Sequence, residues 1–421
     1  MSKVIKLDHI AKIEGHARLI IQIDKGKIKK ARVEAVEGAR FFEAIIKNRK
    51  YDEVSVLTSR ICGVCSPIHA MTSLIAVENA FNVQVSEQTK MLRELLIQAA
   101  SIQSHVMHLY FLALPEYLGF PSAIAMAGKY PDKLKLALKL KKLGTDLVAA
   151  IGGREVHPFT SIVGGFSKLP DKEKLKELLG RLADARVDVI DTAIIFQNLS
   201  YPQFERETQY FSLESDKYDF LKGHITCIGN QCVPTKDYIN HFKEYFQPGS
   251  TAKFVVSEGK GYMVGALSRL NNNFKFLSQN AKNSVSIKVP NFSPFMINAA
   301  QAIELVHNVD RCIELIEALD LKEEPFPEIV PKEARGVAVT EAPRGLLFHD
   351  YTFDKKGFIT KANIITPTAQ NLRNIEDDIK EFLPSIMHKK KEDIVAELEK
   401  LIRAYDPCIS CSTHFLDVVW E

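Results

Sequence analysis

The sequence lacks a concentrated charge of either sign. Its 55 Lys and Arg stand against 52 Asp and Glu, a formal net charge of +3 over 421 residues, and no like-charge run exceeds Lys389, Lys390 and Lys391. Binding a phosphate backbone needs a basic stripe, so nucleic acid is excluded as the natural partner. A disulfide framework is missing too. The seven cysteines are an odd number, and four form two Cys-x-x-Cys pairs, Cys62 with Cys65 and Cys408 with Cys411, which reads as thiols kept for chemistry. Met1 to Asp8 holds two lysines and no apolar core, so no secretory signal is expected and a cytoplasmic location is. Nor is a membrane span expected. Leu95 to Pro115 carries no formal charge and nearly the needed length, yet it includes Gln98, Ser101, Gln103, Ser104, His105 and His108, which lipid would penalise. With no internal repeat or low-complexity linker, the reading is one domain over residues 1–421 with an ordinary globular composition.

Alternating Leu19, Ile21 and Ile23, a turn at Lys25 and Gly26, then Ile28 and Val33 predict a hairpin. A strand is expected around Val54 to Leu57, followed by the first cysteine pair and a helix opened by Pro67 and running to about Ala80. Ser86 is a candidate N-cap for the longest helix, about seven turns through Leu92, Leu95, Leu96, Ala99, Ile102, Val106 and Leu109. Asp132–Leu143, Asp171–Asn198, Val289–Leu319 and Lys391 to about Ala404 also read as helical. Between Pro325 and Thr368 irregular strands and loops are expected. The fold class is α+β, mainly α: a central long-helix bundle with peripheral β-strands.

Two Cys-x-x-Cys pairs supply four thiolates around a metal. Zinc ribbons close their pairs within about 15–20 residues, whereas Cys65 and Cys408 stand 343 positions apart. Such a site would close the whole fold. A structural zinc site remains open at this point, as does a thioredoxin-like redox turn at the first pair, although the latter leaves the second pair unexplained.

The run Arg60, Ile61, Cys62, Gly63, Val64, Cys65 with His69, and the run Asp406, Pro407, Cys408, Ile409, Ser410, Cys411 with His414, closely resemble the two cysteine signatures of nickel-iron hydrogenase large subunits. Further matches are Ile13 to Arg18, then His105 and His108, His157 and Pro158 with Gly164 and Gly165, Glu341 to Gly345, and Thr366 to Thr368. The resemblance fades between about Tyr201 and Val285. It implies heterolytic, reversible cleavage of dihydrogen at a nickel–iron centre whose iron carries one carbon monoxide and two cyanides. By the same resemblance Cys62 and Cys408 are terminal nickel ligands, while Cys65 and Cys411 bridge to iron. Four thiolates and two cyanides outweigh two divalent metals, and Arg60 and Arg344 are the natural cations to restore balance.

The resemblance further implies Cys408 or Arg344 as first proton acceptor and Glu14 as the next relay. His69 would donate to a bridging sulfur, Pro367 and Thr368 would line the iron pocket, and Asp406 would lie beside them. Glu43 and His414 would hold a separate divalent cation, such as magnesium. An endopeptidase would cut between His414 and Phe415, so residues 415–421 mark a precursor whose tail keeps the second cysteine pair from the first; nickel chaperones are then partners. Cys227, Cys232 and Cys312 are too few for an iron–sulfur cluster, so electrons must leave to an iron–sulfur small subunit, with a diaphorase-type flavin subunit beyond it. Against this stand plainer readings. Glu14 before a hairpin is commonly a solvated turn residue, and His105 and His108 are read as structural. Gly259, Gly261 and Gly265 depart from the dinucleotide fingerprint, no helix being expected after them. The competing class is a non-catalytic hydrogenase-like subunit of a respiratory complex, from which the paired cysteines are typically absent.

Overall fold

The computed structural model describes residues 2–25, 27–228 and 230–413. His414, Phe415 and the rest of the expected tail lie outside the described residues, as does the side chain of Cys232. The N-terminal antiparallel sheet is β1 (Ser2–Leu7), β2 (Ala17–Asp24) and β3 (Lys27–Ala35). Leu19, Ile21 and Ile23 point inward as the alternation required.

The expected strand at 54–57 is instead a short helix, α1 (Val54–Thr58), and a single 3-10 turn, Ser59–Ile61, leads from it to Cys62. Val54, Ser55 and Thr58 are its buried residues, a helical spacing, and Thr58 Oγ1 donates to Val54 O at 2.9 Å. Four β-prone residues are too short a run for periodicity to decide, and tertiary burial overrides the local preference. The cysteine pair then opens α2 (Ser66–Phe81), with Pro67 in its first turn.

Four long helices make the bundle. In α3 (Glu87–Val106) Ser86 Oγ accepts from Thr89 N at 3.0 Å, and the helix continues without a break through a π-helical segment, Met107–Ala113. Next come α4 (Pro131–Gly152) and α5 (Lys172–Gln197), the latter capped by Asp171. The fourth bundle helix packs on both α3 and α5. Before it the chain builds the region the sequence left unread. Strands β4 (Gln209–Glu214), β5 (His224–Cys227) and β6 (Asn230–Val233) are antiparallel, a separate pair is formed by β7 (Phe242–Phe246) and β8 (Lys253–Ser257), and β9 (Tyr262–Val264) joins β4 in parallel. A helix does follow Gly265, α6 (Ala266–Asn273), contrary to expectation. Then comes the fourth bundle helix, α7 (Ile297–Ala318), which starts later than Val289 because residues 289–293 are irregular.

The segment expected to be irregular holds a regular antiparallel meander, β10 (Ala334–Ala342), β11 (Gly345–Phe353) and β12 (Ile359–Ile365). Both faces of β11 are buried, polar His349 and Asp350 included, so the alternation that marks a half-exposed strand is lost. Helices α8 (Pro367–Ile386) and α9 (Lys391–Ala404) follow, and the last turn is α10 (Ile409–Ser412). Among the described residues no helix is long and apolar enough to cross a membrane.

Candidate metal centre

Three tight backbone turns converge. The first cysteine pair sits between the 3-10 turn and α2; of the second, Cys408 caps the start of α10 and Cys411 lies within it. The third is the two-residue tip of the β10–β11 hairpin, where Ala342 pairs with Gly345 and leaves Pro343 and Arg344 at the bend. Gly265 has φ +117°, and a Cβ there would lie 2.9 Å from Arg344 O, so glycine lets the start of α6 abut the tip. Behind the tip, Arg269 donates to Ala342 O and Pro343 O, both at 2.9 Å, while Glu304 and Glu341 hold its guanidinium.

The four sulfurs come together in the core. Cys62, Cys65, Cys408 and Cys411 are all buried, and their Sγ atoms lie within 4.8 Å of one another. Cys62 is 3.5 Å from Cys408, Cys65 is 3.3 Å from Cys411, and Cys408 is 2.8 Å from Cys411. The tail, residues 415–421, that was expected to hold the pairs apart lies outside the described residues. The thiols cannot all ionise unaided. Neighbouring thiol hydrogen bonds pull Cys62 well below the ordinary thiol range, whereas burial pushes Cys408 and Cys411 well above it. A bound cation is what would let the remaining thiols lose their protons.

The second pair is anchored from three sides. Thr368, in the first turn of α8, accepts from Cys408 N at 2.9 Å through Oγ1, which leaves its hydroxyl hydrogen available. Glu14 forms an isolated parallel bridge with Cys408; its carbonyl accepts from Ile409 N at 2.9 Å and its Oε2 from Ser410 N at 3.1 Å. Gly15 has φ +79°, and a Cβ there would meet Ile409 Cβ at 2.9 Å. Arg40 is the third anchor and carried no signal in the sequence. Its guanidinium donates to both Ile61 O and Ser410 O, tying the two signatures together.

Arg344 is buried and gripped at two points by Asp406: Nε donates to the backbone oxygen at 2.6 Å and Nη2 to Oδ1 at 2.8 Å. Burial opposes its charge, but Asp406 and the nearby cysteines outweigh burial and hold its pKa well above the guanidinium norm. Arg344 is therefore a fixed cation. Arg60 is exposed at the end of the 3-10 turn. His69, buried on α2, has Nδ1 3.1 Å from His349 Nε2, and His349 Nδ1 meets the Tyr351 hydroxyl at 2.5 Å. His349 is a second residue that no spacing pointed to. Cys65, Cys408, Cys411, His69, Pro367 and Thr368 line a small void of about 10 Å³ together with Arg344, about the room of one water.

Glu43 is engaged differently from the expected cation site. Ile364 N donates to its Oε1 at 2.9 Å, and Lys253 Nζ lies 3.3 Å from its Oε2 and 3.3 Å from Glu244. Burial lowers the Lys253 pKa, but the two carboxylates more than offset it and keep the ammonium charged. The cysteine quartet is the one group of metal-ligating type gathered this closely among the described residues.

A buried tetrathiolate with a void against three of its sulfurs differs from a closed structural zinc site. The family described as nickel-dependent hydrogenase matches residues 40–135 and 242–414. The chain belongs to the nickel-dependent hydrogenase family. Over 97% of each chain, this hydrogenase is 36% identical to the sulfhydrogenase 1 subunit alpha of Pyrococcus furiosus. It is 28% identical to the NAD-reducing hydrogenase HoxS subunit beta of Cupriavidus necator, covering 99% of this chain and 96% of that one. Its fold superposes on an NAD+-reducing [NiFe]-hydrogenase solved in the H2-reduced state with a TM-score of 0.89 at 25% identity, covering 98% and 99% of the two chains.

Proposed function

We propose that this hydrogenase chain is one catalytic unit that holds a nickel–iron pair between its four cysteines and cleaves dihydrogen reversibly into protons and electrons. The observation that carries the reading is the convergence of four buried sulfurs from opposite ends of the chain beside a void and a buried arginine. When bound, a nickel–iron pair with carbon monoxide and two cyanides on iron supplies Lewis acidity and a place for electrons. Cys62, Cys65, Cys408 and Cys411 would hold that pair through their sulfurs. Arg344, pinned by Asp406, offsets the surplus negative charge, so Cys408 rather than Arg344 takes the proton. Glu14, one hydrogen bond from Ser410 N, receives it next. His69, whose Nδ1 lies 3.1 Å from His349 Nε2, would hydrogen-bond one of the cysteine sulfurs and tune it. Pro367 and the Thr368 hydroxyl shape the diatomic pocket. Glu43, with His414, takes magnesium only if Lys253 is displaced.

Electrons leave through an iron–sulfur small subunit and onward to a flavin subunit. Its docking face is the rim of the first cysteine turn. Gly63 is exposed there, and the loop carrying exposed Val156 and Phe159 is fastened on it by His157, whose N donates to Ser66 Oγ at 3.0 Å and whose Nδ1 bonds Ser59 O at 2.9 Å. Nickel chaperones and an endopeptidase cutting after His414 belong to the same reading, as does a cytoplasmic location.

The test is metal analysis and infrared spectroscopy of protein matured in a competent host. Nickel and iron in equal amounts with carbon monoxide and cyanide bands are expected, and Cys408→Ser should lose both nickel and hydrogen uptake. Zinc alone at the four sulfurs, with no hydrogen uptake, defeats the proposal.

A further inference from the structure

Two bundle helices face each other with polar stripes. On α3, Glu94, Gln98, Ser101, His105 and His108 recur every three or four residues and share one face. On α7 the opposing stripe is Gln301, Glu304, Asn308 and Arg311. The helices run antiparallel, as three contacts show: His108 Nδ1 to Gln301 at 2.6 Å, His105 Nε2 to Glu304 at 2.9 Å, and Arg311 Nε to Glu94 at 2.6 Å.

Between those contacts the seam is polar and unpartnered. Gln98, Ser101, His105 and Asn308 are fully buried. Among the described residues, both amide atoms of Gln98, both of Asn308, Ser101 Oγ and His105 Nδ1 meet no protein partner. Each such atom costs roughly 1–3 kcal/mol if left alone, so a cluster of them on two facing stripes calls for water, which bonds such groups in protein interiors. The inner end reaches the centre: Ser104 Oγ is 3.4 Å from Arg344 Nη1, and Gln301 Nε2 is 3.3 Å from Asp406 Oδ2. The outer end reaches solvent at Glu94, whose partners Arg311 and Lys217 are 26% and 39% exposed. From Ser104 to Glu94 the helix rises about 15 Å, a span that a few waters and these side chains cover.

We propose that a file of water fills the α3–α7 seam and conducts protons between the metal-centre void and the surface at Glu94, as a second route beside Glu14. Each water accepts a proton on one side and releases one on the other; only O–H bonds form and break, and no electron moves. The proton's source rests on the hydrogenase reading, while the hydration does not. The test has two readouts: a crystal structure of the full chain at a resolution that shows ordered water, and dideuterium–water isotope exchange by the metal-loaded enzyme. Waters bonded to Gln98, Ser101 and Asn308 are expected. The paired change Gln98→Leu with Asn308→Leu should remove them and slow the exchange that survives in a Glu14→Gln background several-fold. The proposal is overturned if the Gln98 and Asn308 amides bond each other directly with no water between, or if exchange is unchanged once the waters are gone. An unmutated enzyme with no hydrogen chemistry at all would instead defeat the functional reading and leave the water result standing.

Discussion

Arg344 shows how much a single side chain can be asked to do. Lysine at this position keeps the charge but cannot make both the Nε and the Nη2 contact with Asp406. Arg344→Lys should therefore retain nickel while hydrogen turnover falls by about 100-fold, the scale of a misplaced catalytic group. Arg344→Ala should lower stability by roughly 3–5 kcal/mol in chemical denaturation, because it leaves Asp406 buried and unpaired. A second residue sets a pH dependence. His307 is buried and accepts from Ser278 N at 3.0 Å through Nδ1, and burial drives its pKa from the usual 6.5 to about 4. In the unfolded chain it takes a proton near 6.5, so below that pH the unfolded state binds more protons and stability falls as pH falls toward 4. Urea midpoints should show a loss of about 3 kcal/mol over that interval, and His307→Asn should flatten it. At this scale the sequence exposed the four cysteines, because thiols at fixed spacing are rare and specific. It concealed Arg40 and Arg269, whose importance lies in carbonyl oxygens that only the folded backbone brings within reach.

Elements with a chemical stop sign were legible. Ser86 caps the helix it was expected to cap, Asp171 stands at the start of the segment read as helical and caps it, and Lys391–Ala404 is helical over the expected span. Elements defined by burial alone were not. The 54–57 segment read as strand because its residues are β-prone, while packing makes it a helix, and β11 hid because both its faces are covered. The Gly15 turn is where local geometry and the centre meet. Gly15→Ala adds a Cβ at positive φ against Ile409 and should cost about 1–3 kcal/mol. The measurement is a lowered thermal midpoint together with weaker nickel retention, since the displaced partner is the backbone beside Cys408. A fall in midpoint with full nickel retention would detach the N-terminal turn from the centre.

For the whole molecule, the resemblance carried furthest where the metal centre is built and least over 201–285, and residues 136–241 also fall outside the matched family segments. That region forms the β4–β6 sheet and its surroundings, whose role in the fold is backing the hairpin tip: Leu213 N donates to Glu341 Oε1, and Glu341 in turn holds Arg269. Between molecules, the exposed Phe159 offers the sharpest probe of the electron exit. Phe159→Asp should abolish co-purification of the proposed iron–sulfur subunit and leave nickel content and thermal midpoint unchanged. Retained co-purification would place the docking face elsewhere.

The sulfur donors come from both extremes of the polypeptide, and this has a consequence for biosynthesis. Cys408 follows Cys65 by 343 positions, so no nascent chain that has yet to reach the second pair, however well its helices have begun to form, can present the complete donor set. A metal held by all four sulfurs therefore waits for the second pair, and a message cut short before Cys408 yields a body with half a pocket.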